Sequence, residues 1–103
     1  MNIQKLMKEA QKAQKQMAEA QERLAGMTVE GSAGGGMVTA DANGDGTVTR
    51  IHIDPKAVDP DDLEMLEDLV TAALNDVQRK VKELQEKELG SAMGGLGGMG
   101  GMF

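Results

Sequence analysis

The fold of this protein is decided by residues 27–53, which read MTVEGSAGGGMVTADANGDGTVTRIHI. Within this segment the apolar pattern has a period of two, threonine and valine are frequent, and glycine clusters interrupt the alternation. A period of two indicates short β-strands that bury one face and expose the other. The segment therefore predicts three antiparallel strands, at about residues 28–32, 37–42 and 47–53.

Two glycine-rich turns are expected to join these strands. The first is formed by Gly34, Gly35 and Gly36. The second is Asn43-Gly44-Asp45-Gly46, a strong hairpin signal because these residue types tolerate positive φ. Simple alternation along the third strand predicts two faces, one with Val48, Arg50 and His52, the other with Thr49, Ile51 and Ile53. A sheet of three strands has two open edges.

The segment before the strands has a clear helical pattern. Its apolar residues recur in alternating steps of three and four, at Ile3, Leu6, Ala10, Ala13, Met17, Ala20, Leu24 and Met27. This heptad spacing is typical of a helix that lies along one partner, as in a coiled coil. Lysine, glutamine and glutamate occupy the other faces, and Gly26 is a suitable stop. The pattern predicts a helix over residues 2–25.

A second helix is predicted after the strands. Asp59 is suited to cap it, with Pro60 at its first position. The apolar face is broad as far as Val77 and then narrows, so the first half is expected to pack on the sheet and the second to project. Residues 90–103 contain seven glycines and predict a flexible Gly/Met tail. The expected fold is α+β: one α-β-β-β-α domain over residues 1–89, then the tail.

The supply of large apolar side chains is small for a chain that folds alone. Apolar residues make up 40% of the sequence, but Phe103 is the single aromatic residue among 103. Large side chains contribute most of the burial energy, so we expect a homodimer. The residues predicted to form the core or the dimer interface are Ile51, Ile53, Leu63, Leu66, Leu69, Val70, Ala73 and Val77.

The residue types argue against an enzyme. Without cysteine there is no disulfide, thiolate metal site or cysteine nucleophile, and His52 is the only histidine. No serine, histidine and carboxylate form a recognisable catalytic motif. We therefore expect no cofactor, no metal and no small-molecule substrate.

A partial calcium-loop motif is interpreted as an ordinary turn. Asp41, Asn43, Asp45 and Gly46 match the first half of an EF-hand loop. The twelfth position, however, is His52 and not the bidentate glutamate that supplies two ligand oxygens. The sequence predicts that calcium does not bind.

The sequence also indicates a cytoplasmic protein without a membrane partner. Lysines interrupt the N-terminus every three or four residues, unlike a signal peptide. No stretch approaches the roughly 20 apolar residues that span a bilayer.

The formal net charge of -6 is distributed unevenly. Residues 1–26 contain five basic and three acidic residues, whereas residues 54–89 contain five basic and eleven acidic ones. Lys5, Lys8, Lys12 and Lys15 follow steps of three and four and so share one face of the first helix. Two interpretations stay open at this point. The lysines form either a solvated helix face or, doubled in a dimer, a grip on the backbone of duplex DNA.

Over nearly its whole length apart from the tail, the chain resembles the YbaB/EbfC family of nucleoid-associated proteins. The resemblance lies in the order and spacing of several short motifs. These are the Lys/Gln/Met-rich first helix, Val29-Glu30-Gly31, Gly34-Gly35-Gly36-Met37-Val38, Asn43-Gly44, Ile53-Asp54-Pro55, Met65-Leu66-Glu67-Asp68-Leu69-Val70, Ala72-Ala73 and Asn75-Asp76. The resemblance implies a homodimer with projecting first helices that binds double-stranded DNA with little sequence preference.

Pattern and resemblance together predict a dimeric protein that binds DNA phosphates and helps to organise the bacterial nucleoid, with an influence on transcription. The residues expected to contact DNA are Lys5, Lys8, Lys12, Lys15, Arg23, Arg79, Lys80 and Lys82. The alternative is a scaffold or adaptor that uses the heptad face of the first helix to bind a protein partner.

Overall fold

The computed structural model describes residues 2–92. Its regular elements are α1 (Ile3–Ala25), β1 (Thr28–Ala33), β2 (Val38–Asn43), β3 (Val48–Ile53) and α2 (Leu63–Ala92). The strands form one antiparallel sheet in the order β1-β2-β3. The α+β architecture expected from the sequence is thereby confirmed. Helix α2 continues to Ala92, into the expected tail, whose remaining residues lie outside the described part of the chain.

Both predicted turns are present, and glycine is needed at each. Gly34, Gly35 and Gly36 all have positive φ, between 63° and 96°, in the tight turn from β1 to β2. In the second turn Gly46 has φ 96° and its N–H donates to the Asn43 carbonyl at 2.9 Å. The Thr47 N–H donates to the Asp45 carboxylate, also at 2.9 Å, which fixes the turn before β3 begins.

The predicted faces of β3 are wrong at one end because the strand contains a bulge. Ala40 pairs with Ile51 and Asp41 with Arg50, but Ala42 pairs with Val48, so the register shifts by one residue. Directly opposed residues of an antiparallel pair point to the same face of the sheet. Val48 therefore shares a face with Ile51 and Ile53, and not with Arg50. Simple alternation fails here because a bulge inserts an extra residue on one strand.

Helix α2 begins at Leu63, later than its sequence predicts. The Asp59 carboxylate accepts from the Asp61 N–H at 2.9 Å and forms a tight local turn before the helix. Asp62 then caps the helix, because its carboxylate accepts from the Met65 N–H at 3.2 Å. Four aspartates precede the helix: Asp54, Asp59, Asp61 and Asp62. Because Asp59 forms a local turn, the residue that caps α2 is Asp62 and not Asp59.

The core lies where α2 crosses β1 and β2. Its buried residues are small: Val38, Ala40, Ala42, Ala57, Ala73, Val77 and Val81. Small residues allow close approach, and the contact between Gly31 and the backbone of Val77 leaves no room for a side chain at residue 31. Of the residues predicted for core or interface, Ala73 and Val77 are buried, and Leu66, Leu69 and Val70 pack partly buried against them.

The last turns of α2 pass the sheet and hold the end of α1. The Gln85 amide donates to the Gly44 carbonyl at 2.9 Å, and Gly44 itself contacts the Leu24 carbonyl group. Ala20 and Leu24 are fully buried at this junction. The first half of α1 lies beyond it, with Ile3 69% and Leu6 49% exposed. The heptad seam of α1 is thus buried in its second half and open in its first.

Candidate nucleic-acid interface

The lysine face of α1 is built by an ordinary, well-capped helix. The Asn2 side chain accepts from the Lys5 N–H at 3.2 Å and so begins the helix. Lys5, Lys8, Lys12 and Lys15 follow on successive turns, and all four are exposed. Over residues 2–92 none of them forms an ion pair. Their charges therefore face solvent.

The electrostatic surroundings of these lysines are favourable for an anion. Between residues 2 and 18 the four lysines are accompanied by a single acid, Glu9. There is no acidic side chain in the first turn of α1. Most acidic residues of the protein lie in the second half of the sequence, between Asp54 and Glu88. The arm formed by α1 is thus a locally cationic part of an acidic molecule.

The basic residues of α2 are in a different situation, because two of the three predicted ones are held by carboxylates. The Arg79 guanidinium donates to Glu83 at 2.8 Å and to Asp76 at 2.9 Å. The Lys80 ammonium lies 3.3 Å from the other Asp76 oxygen and donates to the Glu30 carbonyl at 3.1 Å. Lys82 is exposed and makes no ion pair in the described part of the chain.

Asp76 is the centre of this group and was not identified from the sequence. Its carboxylate accepts from the Ser32 N–H at 2.9 Å, which ties α2 to β1. That hydrogen bond, with those from Arg79 and Lys80, lowers the pKa of Asp76 to about 2. The hydrogen bond to Asp76, together with the charge of Glu83, raises the pKa of Arg79. Arg79 and Lys80 therefore stabilise the contact between helix and sheet.

A sequence signal for this group did exist. Asp76 precedes Arg79 by three residues and Lys80 by four, and Arg79 precedes Glu83 by four. Side chains three or four positions apart on a helix are neighbours, so opposite charges at these spacings pair. The contact to Ser32 had no such signal, because 44 residues separate the two partners.

Arg23, the last basic residue of α1, lies at the junction with α2. Its Nε is 3.8 Å from the Glu88 carboxylate, and the Arg23 side chain is 48% exposed. An exposed pair at this distance contributes little to stability. The structure thus places the eight predicted residues in two groups: the four lysines of the α1 arm, and the cations of α2 and its junction.

Residues 2–92 contain no cluster of side chains suited to a metal ion, since no group of three or more histidine, cysteine or acidic residues there is placed to hold one. The pKa of Asp45 is lowered because its carboxylate accepts hydrogen bonds from Thr47. One shallow groove of about 460 Å³ follows α2, and its lining is unsuited to phosphate: Asp62, Glu64, Met65, Asp68, Leu69 and Ala72.

A separate apolar surface lies on β3. Because α2 packs on β1 and β2, the apolar face of β3 is open, with Val48 37%, Ile51 41% and Ile53 37% exposed. Leu63 at the start of α2 is 54% exposed. Ile51, Ile53 and Leu63 were predicted as core or interface residues, and they are not core in the single chain.

No helix within residues 2–92 is long and apolar enough to cross a membrane.

Comparison with known proteins gives a consistent picture. A sequence profile described as the YbaB/EbfC DNA-binding family matches residues 1–96. A nucleoid-associated protein of Saccharopolyspora erythraea is 50% identical over 101 residues, covering 98% of this chain and 87% of the relative. A nucleoid-associated protein of Acetivibrio thermocellus is 50% identical over 102 residues, covering 99% and 90%.

The fold is also found in a solved structure. An uncharacterized protein from Helicobacter pylori, known from its crystal structure, superposes with a TM-score of 0.75 at 25% sequence identity. The match covers 84% of this chain and 91% of that one. This chain and the Helicobacter pylori protein therefore share a fold although their sequences differ at most positions.

Proposed function

Because this chain belongs to the YbaB/EbfC DNA-binding family, whose named relatives are nucleoid-associated proteins, we propose how it binds DNA. In this proposal a homodimer grips the phosphates of duplex DNA with the lysine faces of its two α1 arms. Phosphate contacts fix position but carry no sequence information, so the protein binds with little sequence preference. Such binding along the chromosome helps to organise the nucleoid.

One observation supports this assignment above all others. Lys5, Lys8, Lys12 and Lys15 are exposed on one helix face and, within residues 2–92, have no carboxylate partner. A cation without a partner gives up no ion pair when it meets a phosphate. Arg79 and Lys80 would have to leave Asp76, so we assign them a minor part, with Lys82 as the accessible cation of α2.

The test is the salt dependence of DNA binding. Each neutralised phosphate contributes a slope of about -0.9 in log K against log[salt]. The double variant Lys8→Ala, Lys12→Ala removes up to four cations per dimer and should flatten the slope by about 3 to 4. Alanine is the best helix former, so folding should hardly change. The measurement is duplex binding by fluorescence anisotropy over a range of salt concentrations.

A matched control is Lys56→Ala, because Lys56 is an exposed basic residue outside both helices. Its salt slope should equal that of the unaltered protein. An unchanged slope in the double variant, with the fold intact, would remove α1 from the DNA contact.

The dimer is proposed to form through the apolar face of β3. Val48, Ile51 and Ile53 pair with the buried residues of β2, so they lie on the same side of the sheet as α2, beyond its path over β1 and β2, and are exposed there. Leu63 at the start of α2 is also exposed. Burial of such residues against a second copy would supply the core that one chain lacks. Sedimentation at micromolar concentration should give about twice the 10.9 kDa chain mass.

A pair of variants tests the location of this contact. Ile51→Asp places a charge on the open apolar face and should dissociate the dimer. His52→Asp introduces the same charge on the opposite face of β3, since His52 pairs with Thr39 and not with a buried residue. It should stay dimeric. Dimers of equal strength in both variants would place the interface elsewhere.

A scaffold function remains the second candidate, supported by the open apolar residues of the α1 arm. A protein partner docked on that face would not require the lysines. Failure of the protein to bind any duplex at low salt would favour the scaffold, whereas salt-sensitive binding favours the DNA contact.

A further inference from the structure

The first half of α1 has two chemically different faces, and the proposed function uses only one. The second is apolar and consists of Ile3, Leu6, Met7 and Ala10, here named the tip stripe. Ile3 is 69%, Leu6 49% and Met7 58% exposed, and Ala10 is also exposed. Ile3, Leu6 and Met7 are three of the nine large apolar side chains that are exposed in residues 2–92. No other helix or strand there covers them.

The tip stripe and the lysine face point in nearly opposite directions. At about 100° per residue, the mean direction of the stripe lies roughly 170° around the helix from that of Lys5, Lys8, Lys12 and Lys15. When the lysines lie against a duplex, the stripe therefore faces away from that duplex. DNA binding alone leaves it exposed to water.

The stripe continues an interface that the chain already makes. It has the same heptad spacing as Ala20 and Leu24, which are buried against α2. Ala10 is small enough for two helix axes to approach closely, and uncharged Gln11 and Gln14 stand beside the stripe. A helix of the same kind can thus pack against it without placing like charges at the contact.

A second copy of α1 meets these requirements. Two arms packed stripe to stripe would have their lysines on the outer sides, as far apart as the pair allows. That arrangement separates the positive charges and leaves both lysine faces accessible. Leu6 lies about 27 Å along the helix from Leu24, at 1.5 Å per residue, so the stripe is a surface distinct from β3. One chain can therefore use both contacts.

We propose that α1 arms of two different dimers pair through the tip stripe and so bridge two DNA duplexes. The bridging part of the proposal rests on the proposed contact between the lysines and DNA. A stripe of less than two heptads pairs weakly by itself. Bridging therefore occurs where many dimers are bound close together, because a high local concentration drives weak contacts.

Bridging is tested with two duplexes. One is fixed on beads, the other is labelled and free, and the protein is added to capture the second on the first. The unaltered protein should capture it. The variant Ile3→Gln, Leu6→Gln should reduce capture to the level without protein, while its affinity for a single duplex changes by less than about twofold, because every lysine is retained.

The matched control is Ala18→Gln, which adds the same amide at an exposed position of α1 outside the stripe. It should capture the second duplex as well as the unaltered protein does. Equal capture by the stripe variant, or no capture by the unaltered protein at full occupancy of single duplexes, would overturn the proposal.

A second experiment measures the pairing without DNA. The chain has no cysteine, so Leu6→Cys introduces a single thiol on the stripe. Mild oxidation at about 1 mM protein, the local concentration that weak multivalent contacts experience, should give a disulfide-linked species whose native mass, with the dimers intact, is at least twice that of one dimer. Ala18→Cys should give little. This readout stands even if no duplex binds, so failure of stripe pairing and failure of the DNA contact are distinguished.

Three results of the oxidation experiment would contradict the proposal. A disulfide product whose native mass is that of one dimer would mean that the two arms pair within one dimer. No disulfide would mean that the arms do not meet. A disulfide that forms only after deletion of residues 93–103 would mean that the end of the chain, with Met93, Leu96, Met99 and Met102, covers the stripe.

Discussion

Replacement of Gly31 by alanine should destabilise the protein strongly, because β1 and α2 touch there through their backbones. A Cβ atom on residue 31 would meet the backbone nitrogen of Val77 and would lie 2.7 Å from its Cα. Real Cβ atoms do not approach other atoms so closely. Because the obstructing atoms belong to the helix backbone, no side-chain rotation relieves the contact, and the helix itself has to move.

The size of the effect follows from the cost of overpacking. Extra atoms in a packed core cost typically about 1–3 kcal/mol, and a backbone obstacle places Gly31→Ala in the upper half, roughly 2–3 kcal/mol. For a domain of this size about 1 kcal/mol shifts the melting temperature by roughly 4–8 °C, so a decrease of about 10–20 °C is expected. Thermal unfolding followed by circular dichroism, at fixed protein concentration, measures it.

Gly26→Ala is the matched control. Residue 26 ends α1 with φ -89°, which alanine adopts freely, and the nearest atom to a new Cβ is the Arg23 carbonyl oxygen at 3.6 Å. Its stability should be unchanged or higher by up to about 1 kcal/mol, since alanine restricts the unfolded chain. A Gly31→Ala protein within about 0.5 kcal/mol of the unaltered one would refute the close approach, because overpacking of a core costs more.

Two further predictions concern the contacts that hold the helices. The pKa of Asp76 is lowered to about 2 from 3.8, so its stabilising contribution is present above about pH 4 and is lost as the pH falls through 2. Asp76→Asn should make acid unfolding flatter over that range, and an unaltered acid-unfolding curve would exclude a role for its carboxylate. Leu24→Ala removes a fully buried side chain at the junction of α1 and α2 and should cost about 2–5 kcal/mol. A loss below 1 kcal/mol in a denaturant titration would mean that Leu24 is not the anchor of the arm.

Much of this fold could be predicted because its signals are local. The spacing of apolar residues by three and four, which predicts α1, depends only on residues about one helical turn apart. It predicted the end of the helix correctly, at Ala25. The turn at Asn43–Gly46 likewise depends on the φ preference of the residues within it. The start of α2 was predicted too early, because Asp59 closes a local turn and Asp62 caps the helix.

The candidate site could be predicted only in part. The lysine face of α1 follows from helical spacing, and the structure finds all four lysines exposed. Helical spacing indicates that Arg79 and Lys80 lie near Asp76, but it does not show that Ser32 of β1 fixes the Asp76 carboxylate. The basic residues of α2 were predicted as DNA contacts like those of α1, although their partners differ.

The sequence by itself determined the elements, their order and the charge of each helix face, since those properties depend on neighbours along the chain. The tertiary structure alone decided which surfaces stay open. The bulge in β3 turns Val48 toward Ile51 and Ile53, and the path of α2 over β1 and β2 leaves that face uncovered. It also decided where the seam of α1 is buried, at Leu24, and where it is free, at Ile3 and Leu6. Burial depends on what another element covers, and residues far apart in the chain meet only after it has folded.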